Sequence, residues 1–415
     1  MSERAHDVMV IGAGVIGLAC AFRLARHGQR VLLVDRSEPG HGASFGNAGH
    51  IATEQVFPLA SPEVVRGAMG YLFDRKSPLR IRPAYLLPIL PWLLRFAWAA
   101  RPGAFARGTA ALSALQHHSA TDIEALLNDA NAAHLLKMNG HLLLIENTAS
   151  LSAAKIEMTR LVEHGVKAHW LSSEEVKNIA PDISARIEGA WKFTGTGHVT
   201  DPLAVCNALR DGFLAAGGKF IREDIVRVDS AASEFTVHGA GGARHRAGKV
   251  VVSCGAWSKT LASQLGYQVP LDTERGYQIN IANAAPRFNI PIASYERKVI
   301  MTPMSCGLRM TGTVEFGGLK FPPDTARFTM LKANLRELVA DMSTTDATEW
   351  MGFRPSLPDH LPVLGRVPDG RNVFFAFGHQ HLGLTLAGVT ARIIATQVTG
   401  GDPGIDLSSF RPDRF

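Results

Sequence analysis

The clearest chemical signal lies near the start of the chain. Gly12, Gly14 and Gly17 are spaced G-x-G-x-x-G, and Asp35 closes the next apolar run. In that spacing the first glycine allows a tight turn and the second lets backbone approach a pyrophosphate. The third lets a helix pack closely on a strand. The N-terminus of such a helix offers unpaired N–H groups and a partial positive charge to phosphate oxygens. An aspartate at the end of the second strand accepts from a ribose hydroxyl. The chemistry is recognition of a dinucleotide.

The elements that must position these groups are legible around them. Residues 8–11 read as a buried strand, and residues 15–26 as an alanine-rich helix stopped by Gly28. Residues 31–34 read as a second, parallel strand. Next comes residues 40–49, GHGASFGNAG, a loop of small residues suited to close backbone approach to a flat ligand. Ser44 and Asn47 are its hydrogen-bonding groups.

At 415 residues the chain is long for one core, so about two or three domains are expected. A hydrophobic content of 46% with 19% charged residues suits large buried cores and excludes disorder. The formal charge of +6 is compatible with an anionic substrate, a dinucleotide or acidic lipid. With no Lys/Arg cluster and no nucleic-acid motif, the reading is no nucleic acid. Four scattered cysteines, without C-x-x-C, point to a reducing, cytoplasmic compartment and no metal site. The first strand begins almost at once, so no signal peptide is expected.

Residues 84–100, AYLLPILPWLLRFAWAA, are short for a membrane span and interrupted by Pro88, Pro91 and Arg95. Two readings stay open. One is a buried helix of the second domain; the other is a patch lying on the inner face of the cell membrane, with Trp92 and Trp98 at the interface.

Further along, residues 104–136 read as one or two amphipathic helices and 140–146 as a strand. Residues 150–164 form a helix after a Ser/Thr cap, and 172–179 another, capped by Ser172 or Ser173. Asp201-Pro202 suits the start of an apolar helix over 203–216. Residues 219–228 are a strand pair. Residues 249–254 are an apolar strand, followed at once by Gly255-Ala256-Trp257 at the ligand edge of a parallel sheet. From 271 to about 341 the strands have mixed polarity, as in an antiparallel sheet with a helix over 327–342 across it. Near Trp350 the chain is expected to return to the first domain. Residues 352–365, GFRPSLPDHLPVLG, read as a proline-rich loop, 372–379 as a strand and 384–400 as a long helix.

By its motifs the chain resembles, over nearly its whole length, the D-amino acid oxidase superfamily of flavoproteins. Within it the likeness is to bacterial D-amino acid dehydrogenases, including those acting on D-proline and D-hydroxyproline. The motifs are GAGVIG with Asp35, GASFGNAGH, SCGAWS, ERGY, GLRMTGTVEF, GFRPSLPDHLPVLG and GHQHLGLTLA. The resemblance implies an α/β fold: a Rossmann-like FAD-binding domain (GR2-type) interleaved with an α+β substrate domain built on an antiparallel sheet. The first would comprise 1–55, 172–268 and 351–415, the second 56–171 and 269–350. It also implies non-covalent FAD. Gly12, Gly14, Val15 and Ile16 would follow the pyrophosphate, and Asp35 with Arg36 the adenosine ribose. Ser44, Asn47, Ala48 and Gly49 would approach the ribityl chain and flavin edge. Val226 would hold the adenine, with Gly255 and Trp257 backing the cofactor. Gly378, Gly383, Leu384 and Thr385 would set the last helix against the flavin's pyrimidine end.

Two departures from the pattern bear on chemistry. Sarcosine-oxidase relatives tether the flavin through a cysteine where this chain has Gly352-Phe353-Arg354. They also carry an oxygen-activating lysine in a G-L-K segment that here reads Gly307-Leu308-Arg309. The expectation is an untethered flavin that passes electrons to a quinone or electron-transfer protein. The implied reaction is amine dehydrogenation, with hydride passing from Cα to flavin N5 and the imino acid released. Arginine's fork suits the substrate carboxylate, and the candidates are Arg275 and Arg354. The structural alternative for Arg275 is a surface ion pair with Glu274, and the functional reading is preferred. Tyr277 shares the face of Arg275. His50, His379 and Gln380 are candidates to orient the amine, although a lone histidine is more often structural. The alternatives are a glycine or sarcosine-type oxidase, a flavin-dependent 2-hydroxy acid dehydrogenase and a non-catalytic flavoprotein subunit.

Overall fold

The computed structural model describes residues 6–73, 77–230, 234–282 and 284–415. His6–Ile11 and Val31–Asp35 are parallel neighbours joined by the helix Val15–Arg26. They extend into a sheet ordered 219–222, 31–35, 6–11, 244–252, 235–239, 225–230, in which Val373–Phe377 also runs parallel to 244–252. Apolar residues point out of both faces, as a sheet covered on two sides requires. On one face the helices Val15–Arg26, Pro102–Asp129, Pro202–Ala215 and Ala387–Val398 share a core with the strands. On the other, Leu261, Ala262, Phe235 and Phe375 close a second core.

The second sheet is mostly antiparallel and runs 348–356, 272–282, 307–316, 299–304, 292–294, 141–145, 189–193, 168–172. The helix Thr325–Leu338 covers it, with Phe328, Leu331 and Leu335 buried. A three-stranded ribbon of 50–51, 197–199 and 136–137 lies apart from both sheets.

Several expectations need correction. Residues 348–356 form a strand, paired from Asp272↔Ser356 to Asn280↔Thr348, where a return to the first sheet and a loop from 352 were expected. The proline is tolerated because this strand lies at the sheet's edge, where one side of the backbone needs no partner. Residues 189–193 also pair within the second sheet, so the chain has not crossed over at 172. The helix Thr148–Glu163 is capped by Asn147, whose side chain accepts from Ser150 N, and not by Ser or Thr. The last helix begins at Ala387, after turns over 383–386. In contrast, Ser172 and Glu175 form a full capping box, and Asp201 caps Pro202–Ala215.

Gly17 fixes the height at which the opening helix crosses its strand. A Cβ there would fall on the Gly12 carbonyl oxygen, far inside any allowed contact, and against Ser253 Oγ. Gly17→Ala is therefore expected to lower unfolding free energy by about 3 kcal/mol or more, as overpacking against backbone does. Urea unfolding of the purified variant checks it.

Candidate functional site

A cavity of about 740 Å³ is lined by residues of both sheets. The glycine turn supplies Gly12, Gly14, Val15 and Ile16, and the small-residue loop Ser44, Asn47 and Ala48. Asp35, Arg36, Glu223 and Val226 line it from neighbouring strand ends. Gly255 and Trp257 follow the strand 244–252, and Tyr277, Trp350 and Arg354 come from the second sheet. Gly378, His379, Gln380, His381, Gly383 and Leu384 complete it.

Asp35 is held by its own turn. Its Oδ2 accepts from Ala13 N at 2.7 Å and its Oδ1 from Ser37 N at 2.8 Å, which aims the carboxylate along the glycine loop. Each oxygen keeps a lone pair for a ribose hydroxyl. The Arg36 guanidinium lies 4.0 Å above the Trp257 ring, which meets Phe353 edge-on. A bulge leaves Val226 out of the pairing between 225–230 and 235–239, and Val226 lines the cavity; its carbonyl accepts from Gln264 Nε2. A Cβ on Gly14 would meet no protein atom nearer than Ser44 Oγ at 3.4 Å, and one on Gly383 only His379 at 3.9 Å. The protein's own packing gives no reason for glycine at either place, and both glycines line the cavity.

Not every expected ligand group faces that space. Ser44 lines it, but its Oγ accepts from Val15 N at 2.9 Å, as a cap for the opening helix. The Asn47 side chain accepts from Gly49 N. Gly49 itself does not line the cavity; at φ +73° it turns the chain into the strand 50–51, and its carbonyl accepts from Val199 N. Thr385 is also outside: its hydroxyl accepts from Ala52 N and ties the turn before the last helix to the end of that strand.

The two arginines have opposite surroundings. Arg275 is wholly buried and pairs with the equally buried Glu315 at 3.0 Å, while its Nη2 donates to the Phe321 carbonyl. Glu315 also takes Arg82 and the Tyr277 hydroxyl, and that hydroxyl accepts from Asp324 N at 3.0 Å. Arg275 is therefore a structural charge, excluded from the cavity, and its partner is Glu315, not Glu274. Tyr277 lines the cavity only with its body; burial pushes its phenol up to about 12. Arg354, in contrast, lines the cavity and has no carboxylate within ion-pair distance among the described residues. One Nη donates to the Thr313 carbonyl at 3.2 Å. The guanidinium lies over Gly276, where a Cβ would collide with it. Burial draws its pKa down, opposed by Glu274.

His50 is also absent from the cavity. It pairs with Glu54, at 3.0 Å, beside His141. His379 lines the cavity but turns Nε2 to Thr390 Oγ1 at 3.0 Å. Gln380 sits at φ +49°, held by a bond from its N–H to the Pro355 carbonyl. Sequence reading missed His381, which lines the cavity and meets Gln55, although the alternation in GHQHLG marked it. It also missed Trp350, whose ring fills the space that a Cβ on Gly46 or Gly352 would occupy. Those two glycines were the available signal. Arg309 lies behind the loop, donating to the Asn47 carbonyl at 2.6 Å and to Asn280 Oδ1 at 2.8 Å.

Comparison with known proteins matches residues 7–397 to the family described as FAD dependent oxidoreductase (DAO). A D-amino-acid oxidase of Bradyrhizobium diazoefficiens is 32% identical across the whole of both chains. A D-amino acid dehydrogenase of Rhizobium johnstonii is 28% identical over 98% of this chain and 99% of its own. Among solved structures, glycine oxidase from Geobacillus kaustophilus superposes with TM-score 0.78 at 22% identity, covering both chains fully. L-proline dehydrogenase from P. horikoshii gives 0.74 at 16%, covering 99% and 98%.

Burial drives the pKa of His379 down to about 3 and that of His360 down to about 4, the latter against the pull of Asp359 and Gln380. Unfolded histidines protonate near ~6.5, so the unfolded chain binds protons first as pH falls. Stability is full above that value and declines between it and about 3. The urea midpoint is expected to fall between pH 7.5 and pH 5, with a shallower fall in His379→Gln.

Proposed function

The chain belongs to the DAO family of FAD-dependent oxidoreductases, and from that premise we propose that it oxidises a D-amino acid to the imino acid. A ring-closed substrate such as D-proline or D-hydroxyproline is our preferred class. The observation that carries the reading is Arg354: a half-buried cation in the cavity wall with no carboxylate in ion-pair distance among the described residues. A cation so placed is costly until an anion meets it, and an arginine fork matches an α-carboxylate.

Gly12, Gly14 and Ile16 would hold the pyrophosphate, Asp35 and Arg36 the ribose, and Val226 the adenine. When bound, FAD would supply the two-electron oxidant for the hydride of the substrate Cα. The protein's part is orientation. Arg354 anchors the carboxylate, Trp350 and Phe353 wall the ring space, and Gln380 and His381 lie within the same cavity to meet the amine. If the amine binds or becomes neutral, no strong base is required. We read the flavin as untethered: among the described residues, the cysteine lining the cavity is Cys254, which lies near Asp35 and Arg36.

The acceptor we propose is a quinone or electron-transfer protein, because the position of the oxygen-activating lysine holds Arg309, whose guanidinium is engaged by loop carbonyls. The likeness to a D-amino-acid oxidase favours oxygen as the second reading. Exposed Leu87, Leu94 and Trp98 on the helix Leu86–Ala99 support a membrane contact near such an acceptor. Ile89 and Trp92 on its other side pack against Phe316. Residues 75–121 contain no acid, and Arg101 lies over Trp98 at 3.3 Å, so the surface is apolar and cationic. No helix among the described residues is long and apolar enough to cross a membrane.

Anaerobic bleaching of the flavin by a panel of D-amino acids tests the reaction. Arg354→Ala is expected to keep normal flavin content and weaken substrate binding by about thirtyfold or more; an unchanged dependence on substrate removes the arginine's role. Reoxidation by air as fast as turnover decides for oxygen. In sedimentation with anionic vesicles, wild-type protein is expected in the pellet and Leu87→Asp/Leu94→Asp in the supernatant.

A further inference from the structure

Outside the cavity, the three-stranded ribbon and the second sheet bring three donors together. His50, Glu54 and His141 each offer one ligand atom, and these atoms lie within 4.8 Å of one another. His50 Nε2 is 3.0 Å from Glu54 Oε1, and the His50 and His141 rings meet edge-on at 4.6 Å. The histidine and glutamate side chains are each 9% exposed, and His141 is 4% exposed.

The second nitrogen of each ring is already engaged. His50 Nδ1 faces the Gly197 carbonyl at 3.0 Å, and His141 Nδ1 faces Thr196 Oγ1 at 3.1 Å. That is how metal-binding histidines are commonly oriented: an outer acceptor fixes the ring and leaves Nε2 for the ion. Phe193 stacks on the His141 ring and holds its plane.

The hydrogen bonds among the protein groups balance only if a positive charge sits at the cluster. Both nitrogens of His50 face oxygen acceptors, yet a neutral imidazole carries only one N–H. Glu54 Oε2 is buried with no hydrogen-bond partner. A buried carboxylate with an unmet oxygen, beside such a ring, needs a positive charge: a second proton on His50 meets one oxygen, whereas a metal ion meets all three groups.

We propose that His50, Glu54 and His141 bind a divalent transition-metal ion of the zinc class. Two imidazoles and a carboxylate suit zinc and its neighbours, and not magnesium or calcium, which prefer all-oxygen shells. Three protein ligands leave a fourth position for water. The ion fastens residues 50–54, just after the loop that lines the cavity, to the strand His141–Ile145 of the other sheet. This site is separate from the FAD site and independent of the substrate proposed above.

The test uses flavin-loaded protein stripped with a chelator, checked for FAD content, and titrated with zinc alone. One equivalent retained per chain through desalting, with a raised thermal midpoint, is expected. Glu54→Gln and His141→Ala should retain under about a tenth of that. Thr196→Val, which keeps all three ligands and removes only the outer acceptor, should raise the zinc Kd by about tenfold. No stoichiometric zinc in the wild type overturns the proposal, and the cluster is then a protonated histidine–glutamate pair. Zinc retained equally by Glu54→Gln and His141→Ala also overturns it, since the ion then sits elsewhere.

Discussion

The contact on which the rest depends is a backbone crossing at Gly12 and Gly17. The opening helix approaches its strand so closely that only a hydrogen fits between the Gly17 Cα and the Gly12 carbonyl. This brings the first N–H groups of the helix level with the strand ends. The small-residue loop can then fold over them, with Ser44 bonded to Val15, and Asp35 can reach back to Ala13. A helix raised by one methyl group would displace both. The cavity floor is thus a packing consequence before it is a binding surface.

The opposite wall depends on charge. The second sheet holds two arginines on neighbouring strands, one position apart in register, Arg275 opposite Phe353 and Arg354 opposite Glu274. One is cancelled by Glu315, which also gathers Arg82 and the Tyr277 hydroxyl. The other is left with a backbone carbonyl. A protein interior tolerates the first arrangement indefinitely. The second leaves a charge without a carboxylate in ion-pair distance among the described residues, and that separates the two arginines.

Much of this was legible because the information was local. The strand–glycine–helix–strand unit, the Ser172 capping box and the Asp201 cap each depend on residues a few positions apart. What failed was non-local. Nothing near Arg275 announces Glu315, forty residues later, and nothing near His50 announces His141. Thr385 looked like the start of a helix and instead bonds to Ala52. Pro355 suggested a loop, because proline removes a backbone donor; only the sheet order shows the strand to be an edge that can spare it. Pairing across the chain, not composition, decided each of these cases.

The parallel sheet is completed late in the order of translation. Val373–Phe377 docks on 244–252, and Ala387–Val398 packs on the opening helix. Until that segment leaves the ribosome, Phe22, Leu24 and the strand 244–252 have one apolar side exposed. A nascent chain in that state is a natural client for holding chaperones, and slow termination or truncation in this region would favour aggregation over a soluble fragment.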